Sequence, residues 1–198
     1  MPRPTASESG RTPLRGHPDT MRLFVAVALP DSTRGLVATL PRPDRPGLRW
    51  TTPAQWHVTL RFIGQARSEQ VVAAAAEAPG LLIGGSKPVA ELGPATAWFA
   101  GRRVLQVPVK GLEPLAAAVR HATWGWGRAD EPPFVGHLTV ARTTGRGRGH
   151  LDLAGSPVCT RFEVAEFGVY ASRPGPNGSA YERPAFPLDP LQSRPSRP

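Results

Sequence analysis

Two short runs in the chain carry residues that can move protons and hold an anion. The first is Trp56-His57-Val58-Thr59-Leu60-Arg61-Phe62-Ile63-Gly64, and the second is Gly136-His137-Leu138-Thr139-Val140-Ala141-Arg142. Both contain His-x-Thr-x with apolar x positions, 80 residues apart. On a strand, side chains alternate faces, so His57 and Thr59 share one face while Val58 and Leu60 commit the other to packing. The same holds for His137 and Thr139 against Leu138 and Val140. Two such strands facing one cleft would surround a ligand with two imidazoles and two hydroxyls. A neutral imidazole takes a proton from water, and an imidazolium gives one to a departing oxygen. Both forms are accessible near neutrality because the unperturbed pKa is ~6.5. Threonine hydroxyls can hydrogen-bond the non-bridging oxygens of a phosphodiester. The chemistry requires no metal or other cofactor, and neither an HExxH motif nor a carboxylate cluster stands beside either histidine.

These strands need a frame. Leu23–Leu29 has the pattern of a buried strand, and Asp31 is placed to cap a helix to Leu40. A Pro-rich connector spans 41–46, a short strand Leu48–Thr52, and the first motif strand Trp56–Ile63. Ser68 is placed to cap a helix to about Ala78 with Val71, Val72, Ala75 and Ala76 inward, ended by Pro79 and the Gly84-Gly85 pair. Strands follow at Val89–Leu92 and Val104–Val109. Leu112, Leu115, Ala116 and Val119 then mark a helix, and Phe134–Arg142 forms the second motif strand. Arg161–Tyr170 and Ala180–Leu188 read as a terminal hairpin. Strand, helix, connector and motif strand therefore occur twice. Leu23 to His57 spans 34 residues and Val104 to His137 spans 33, as expected for a duplicated unit. The fold class is α+β, bilobal and pseudo-twofold, with antiparallel sheets lining a central cleft.

The chain has 198 residues, 40% of them hydrophobic and 20% charged, which supports a core and excludes wholesale disorder. No apolar stretch approaches the ~20 residues of a membrane span. Cys159 is the single cysteine, so neither a disulfide framework nor a Cys-based zinc site is available. The net charge is +9, and of the 24 basic residues only Lys87 and Lys110 are lysine. Arginine pairs with phosphate through a planar fork. Residues 1–20 and 189–198 read as disordered tails, leaving a body, 21–188, that keeps 19 basic and 12 acidic residues. The body is read as a single domain. Met21 is a candidate start residue. The apolar run after Arg22 is short for a signal sequence, so a cytoplasmic location is expected.

Other residues have plainer readings. Arg142 falls, by strict alternation, on the face opposite His137, and needs a bulge or a strand end to reach the cleft. Arg61 shares parity with His57 and reads as a rim residue. Phe24 and Trp56 read as core, with Trp50 a further aromatic of the kind that stacks on a nucleobase. The loop Thr143–His150 brings arginines beyond the second motif, where an RNA backbone is one occupant and solvent the other. Trp124, Trp126 and Arg128 read equally as an aromatic wall or as helix-end packing. His17, His121 and His150 lack the motif context, and Cys159 reads as a small buried residue.

On these residues the chain resembles the 2H phosphoesterase superfamily, and within it the RNA 2′,3′-cyclic phosphodiesterases once described as 2′-5′ RNA ligases. The resemblance runs from about Met21 to Leu188. Besides both motifs it rests on Arg22-Leu23-Phe24-Val25-Ala26, Leu48-Arg49-Trp50, Tyr170-Ala171-Ser172, Gly178 and Tyr181. Gly136 stands where the family often has proline, a change expected to alter loop stiffness more than chemistry. The resemblance implies hydrolysis of a ribose 2′,3′-cyclic phosphate to a 2′-phosphate, with 2′-5′ ligation as the reverse. His57 and His137 would be the acid–base pair, His57 donating to O3′ and His137 receiving from water. Thr59 and Thr139 would bind phosphate, and Arg142 follows the second motif where the family often has arginine. The implied partners are RNA ends or nucleotide cyclic phosphates, with no membrane, no obligatory protein partner and a monomeric state. Two alternatives stand beside this reading: a non-catalytic RNA-end binding module, and a phosphodiesterase for a small cyclic nucleotide.

Overall fold

The computed structural model describes residues 20–82, 87–128, 131–145, 147–175 and 179–182. Among the described residues, ten strands and three α-helices form in chain order: β1 (Met21–Ala28), α1 (Asp31–Ala38), β2 (Leu48–Trp50), β3 (His57–Ala66), α2 (Ser68–Ala75), β4 (Val89–Leu92), β5 (Ala97–Trp98), β6 (Val104–Lys110), α3 (Glu113–Ala122), β7 (His137–Thr143), β8 (Thr160–Glu163), β9 (Phe167–Arg173) and β10 (Ala180–Glu182). The expected tails, His17, the Gly84-Gly85 pair, Arg146, Gly178 and the end of the last expected strand lie outside the described residues.

The strands join in the order β10-β9-β1-β3-β7-β6-β4-β8, with β2 added to β7 and β5 to β6. Every pairing is antiparallel. β3 and β7, the two motif strands, stand side by side at the centre, each backed by the strand that opens its own strand–helix–motif strand unit, β1 or β6. They are joined through a single residue pair, Val58 and Leu138. Strand–helix–motif strand thus occurs twice, as the spacing predicts, and the α+β class holds. Two helices reach across to the other half, while α2 packs on β1 and β9. Helix α3, from the second half, packs on β3 of the first, while α1, from the first half, touches β8 of the second.

One core unites both halves. Val58, Leu60, Leu138 and Val140 are buried in it with Leu23, Val25, Val27, Leu105 and Val107. These are the alternate apolar positions of β1, β3, β6 and β7, so burying them sends the opposite faces of the motif strands to the other side of the sheet.

Three local expectations are corrected. Asp31 and Ser68 do not cap their helices; each is the first helical residue, after Pro30 and Arg67, and neither preceding residue makes a side-chain cap. The stretch Arg161–Tyr170 is two strands: β8 pairs with β4, and β9 pairs with β1 and β10. The break is needed because β8 and β9 lie at opposite ends of the strand order. The terminal hairpin survives as β9–β10, with Ala180 opposite Arg173. Cys159 is exposed because its neighbour Val158 takes the buried position.

Candidate active site

His57, Thr59, His137, Thr139 and Arg142 line one open cavity of about 560 Å³. It lies on the face of β3 and β7 turned away from the shared core. The first four arrive there by simple alternation, their burial pattern alternating half-buried and buried in both strands. Arg142 arrives by another route.

Both motif strands carry a bulge at the same offset. In β3, Thr59 stands opposite Ala26 and Arg61 opposite Val25, so Leu60 is the extra residue. In β7, Thr139 stands opposite Gln106 and Ala141 opposite Leu105, so Val140 is the extra residue. A bulge adds one residue and reverses the parity of the positions after it. Two consecutive positions are then buried, Leu60-Arg61 and Val140-Ala141. The next residue, Phe62 or Arg142, returns to the cleft face, and both line the cavity.

The bulges correct the expectation for Arg61 and resolve that for Arg142. Arg61 is no rim residue; it is 4% exposed and turned into the body of the protein. Its Nε donates to Glu131 Oε2 at 3.0 Å. Nη1 donates to the carbonyl and hydroxyl oxygens of Thr123, at 2.6 and 2.7 Å, and to the Arg120 carbonyl at 3.1 Å. Nη2 donates to the Trp126 carbonyl at 2.7 Å. The guanidinium therefore ties β3 to the end of α3 and to the segment leading to His137.

The two histidines are held alike. His137 Nδ1 lies 2.8 Å from the Val135 carbonyl, two residues back, and His57 bonds the carbonyl of Gln55, also two residues back. A ring that donates Nδ1–H to a carbonyl presents Nε2 to the opposite side. Aromatic rings fix each plane: Tyr181 meets His57 edge-on at 4.7 Å and Phe24 lies tilted at 4.9 Å, while Phe99 meets His137 edge-on at 4.7 Å. Burial pushes the His57 pKa down to about 4, and the charges of Arg142 and His137 add to that. Burial and Arg142 likewise lower His137. Both shifts favour neutral imidazoles beside arginine at neutral pH.

Sequence reasoning missed part of the cleft. Arg22 and Arg49 line it with Arg142, and so do Gln55, Phe62 and Tyr181. Arg49 stands directly across from Arg142 in the β2–β7 ladder. Like charges facing each other on neighbouring strands are destabilising. Among the described residues neither arginine has a carboxylate partner, and none of the residues lining this cavity is acidic. An anion between them relieves the repulsion. Phe62 was legible only with the bulge in hand; Arg49 needed the register of β2.

Other expectations resolve. Trp56 is core, whereas Phe24, though buried, lies on the cleft face, where it lines the cavity and supports His57. Trp50 is half-buried, with Nε1 donating to the Pro43 carbonyl. The end of the loop after β7 packs on Trp98: Gly149 lies against its ring, and Trp98 Nε1 donates to the His150 carbonyl. Gly136 has a packing reason, since a Cβ there would overlap the Val109 carbonyl oxygen. Trp124 is exposed while Trp126 packs partly against the core, so the two tryptophans separate.

A family model described as LigT-like phosphoesterase matches residues 24–90, which include the first motif. Comparison with curated proteins returned no match. Among solved structures, TT0787 of Thermus thermophilus superposes with a TM-score of 0.66 at 27% identity, covering 85% of this chain and 98% of that one. E. coli LigT complexed with NADP+ gives 0.64 at 22%, covering 83% and 95%. The PDE domain of MHV ns2 gives 0.51 at 13%, covering 75% and 97%. The last two likenesses are of fold.

Proposed function

We propose that the chain, which is similar to LigT-like phosphoesterases of the 2H superfamily, opens RNA 2′,3′-cyclic phosphate ends to 2′-phosphates. The observation that carries this reading is the convergence of both His-x-Thr pairs and Arg142 on one cavity without a described acidic residue. E. coli LigT is seen complexed with 3′-AMP and with phosphate, ligands of the same chemistry.

Water attacks phosphorus, the P–O3′ bond breaks, and the 2′ ester bond is kept. His137 takes the proton from the attacking water, and His57 gives one to O3′ as it leaves. The products are a 2′-phosphate and a free 3′-hydroxyl. Thr59 and Thr139 donate to the non-bridging oxygens, and Arg142 and Arg49 hold their charge as the fifth bond forms. The bound anion also favours the protonated form of a neighbouring imidazole, which offsets the burial that lowers both pKa values. A neutral His137, a protonated His57 and fixed donors suffice for these steps, so turnover with EDTA present is expected.

The deciding experiment incubates the protein and EDTA with short RNAs ending in 2′,3′-cyclic phosphate and identifies the product isomer. A 2′-phosphate from the native protein, lost in His57→Ala and His137→Ala, supports the reading. A 3′-phosphate product, or normal turnover by either variant, overturns it. Binding without turnover identifies an RNA-end binding module instead.

A further inference from the structure

The catalytic cavity opens into a larger one. β3 and β7 meet only at Val58 and Leu138. β3 continues to Ala66, whereas the segment before β7 turns away through Pro132, Pro133 and Phe134. The space between them is a groove of about 1190 Å³ that shares Arg22, Thr59, Phe62 and His137 with the catalytic cavity. Pockets for one small ligand run to ~300–1,000 Å³. The catalytic cavity falls within that range and the groove exceeds it.

The groove's lining has two chemistries. Trp126, Phe134 and the exposed Phe62, 63% accessible, offer ring faces to a base. Arg22, Arg67 and Arg128 add positive charge. Among the described residues its single carboxylate is Glu131, which Arg61 holds at 3.0 Å. Rings interleaved with arginines are what successive nucleotides of a single strand require: π-faces for the bases and cations for the phosphates between them.

We infer that this groove binds the nucleotides preceding the cyclic phosphate, so that the protein selects an oligonucleotide end over a free cyclic nucleotide. The inference rests on the proposed reaction for its substrate end, but not for its binding surface. Phe62 stands where the two cavities join and separates the terminal nucleotide from the one before it. Trp126 and Arg67 lie beyond, outside the catalytic cavity, and act only on the preceding nucleotides.

The test compares adenosine 2′,3′-cyclic phosphate with a trinucleotide ending in the same group, using the native protein, Trp126→Ala and Arg67→Ala. The expected kcat/KM is at least ~10-fold higher for the trinucleotide. Each variant should remove most of that preference and leave the mononucleotide rate within about twofold. Equal kcat/KM for both substrates overturns the inference, as do variants that slow both equally. A second arm titrates the native protein and the same variants with adenosine 2′-phosphate and a trinucleotide 2′-phosphate. If no cyclic phosphate is opened, the proposed reaction fails, and this arm still decides the groove. Tighter trinucleotide binding lost in the variants supports it; equal binding overturns it.

Discussion

Arg142 and Phe62 occupy the same position in two related strands, each five residues after its histidine and each returned to the cleft by a bulge two residues earlier. Nearly everything else about the motif strands is duplicated: the carbonyl that orients each imidazole, the ring beside it, and the threonine two residues on. On the cleft face, this pair is where the duplication ends. A cation stands on one side of the site and an apolar ring on the other, so a substrate with a charged end and a flat base has one preferred orientation. In the proposed reaction, that asymmetry would let two similarly held histidines take different roles.

Replacing the two residues should therefore have different signatures. Arg142→Gln removes a charge that lowers both histidine pKa values. It should cut kcat/KM by ~10²-fold, as expected for loss of a charge-assisted contact to phosphate. It should also move the pH profile toward higher pH. Phe62→Ala should cost ~10-fold through lost stacking and leave the profile in place. The check is kcat/KM from pH 4.5 to 8.5 for both variants; an unmoved profile in Arg142→Gln would count against its placement beside the imidazoles.

The acid–base roles can be separated by the leaving group. A sulfur at the 3′ position departs without protonation, so the variant lacking the acid is rescued by it and the variant lacking the base is not. His57→Ala should recover at least ~10²-fold on the 3′-thio cyclic substrate relative to the oxygen substrate, and His137→Ala should not. Rescue of His137→Ala alone would exchange the two roles. Because both pKa values are depressed and one histidine must be protonated, native kcat/KM should also peak below the ~6.5 of free imidazole.

Arg61 predicts a stability effect. Its five donor contacts serve the end of α3 and Glu131, and none reaches the catalytic cavity. Arg61→Met strands three carbonyls and leaves the Glu131 carboxylate only Arg120 Nε, at 3.9 Å, so denaturant unfolding should show a loss of about 3 kcal/mol. Adding Glu131→Gln should recover part of that, because the uncompensated charge is gone. An Arg61→Met protein as stable as the native one would show that the network contributes little.

Much of this was legible in the sequence, for a definite reason. Period-2 patterning assigns faces wherever a strand is regular, and from His57 to Thr59 and from His137 to Thr139 both strands are regular. Strict alternation fails at Leu60 and Val140, since apolar residues at those positions look the same whether or not the strand bulges. Parity alone consequently assigns Arg61 and Arg142 to the wrong faces. The consecutive apolar pair Val140-Ala141 is the available hint in β7; in β3 the corresponding pair is Leu60-Arg61, and a buried arginine hides the signal. The fate of Arg161–Tyr170 was less accessible still, because no local pattern says that one extended stretch serves opposite ends of a sheet.

His57 also links the site to stability. Its folded pKa of about 4 lies below the ~6.5 of the unfolded chain, so between these values the unfolded state binds a proton that the native state does not. Stability therefore rises with pH across this window. The contribution is fully present above pH 6.5 and is lost progressively as pH falls toward 4. Over pH 7 to 5, where the carboxylates stay largely ionised, the loss should reach about 2 kcal/mol from His57, with His137 adding in the same direction. Urea unfolding at half-unit intervals measures it. His57→Asn should flatten the slope, and a nucleoside 2′-phosphate should flatten it in the native protein by stabilising the charged imidazole. A slope unchanged in His57→Asn would place the titration elsewhere. A slope of the opposite sign would mean that the native cleft holds His57 protonated, and with it that the resting site is a cationic trap and not a pair of neutral bases.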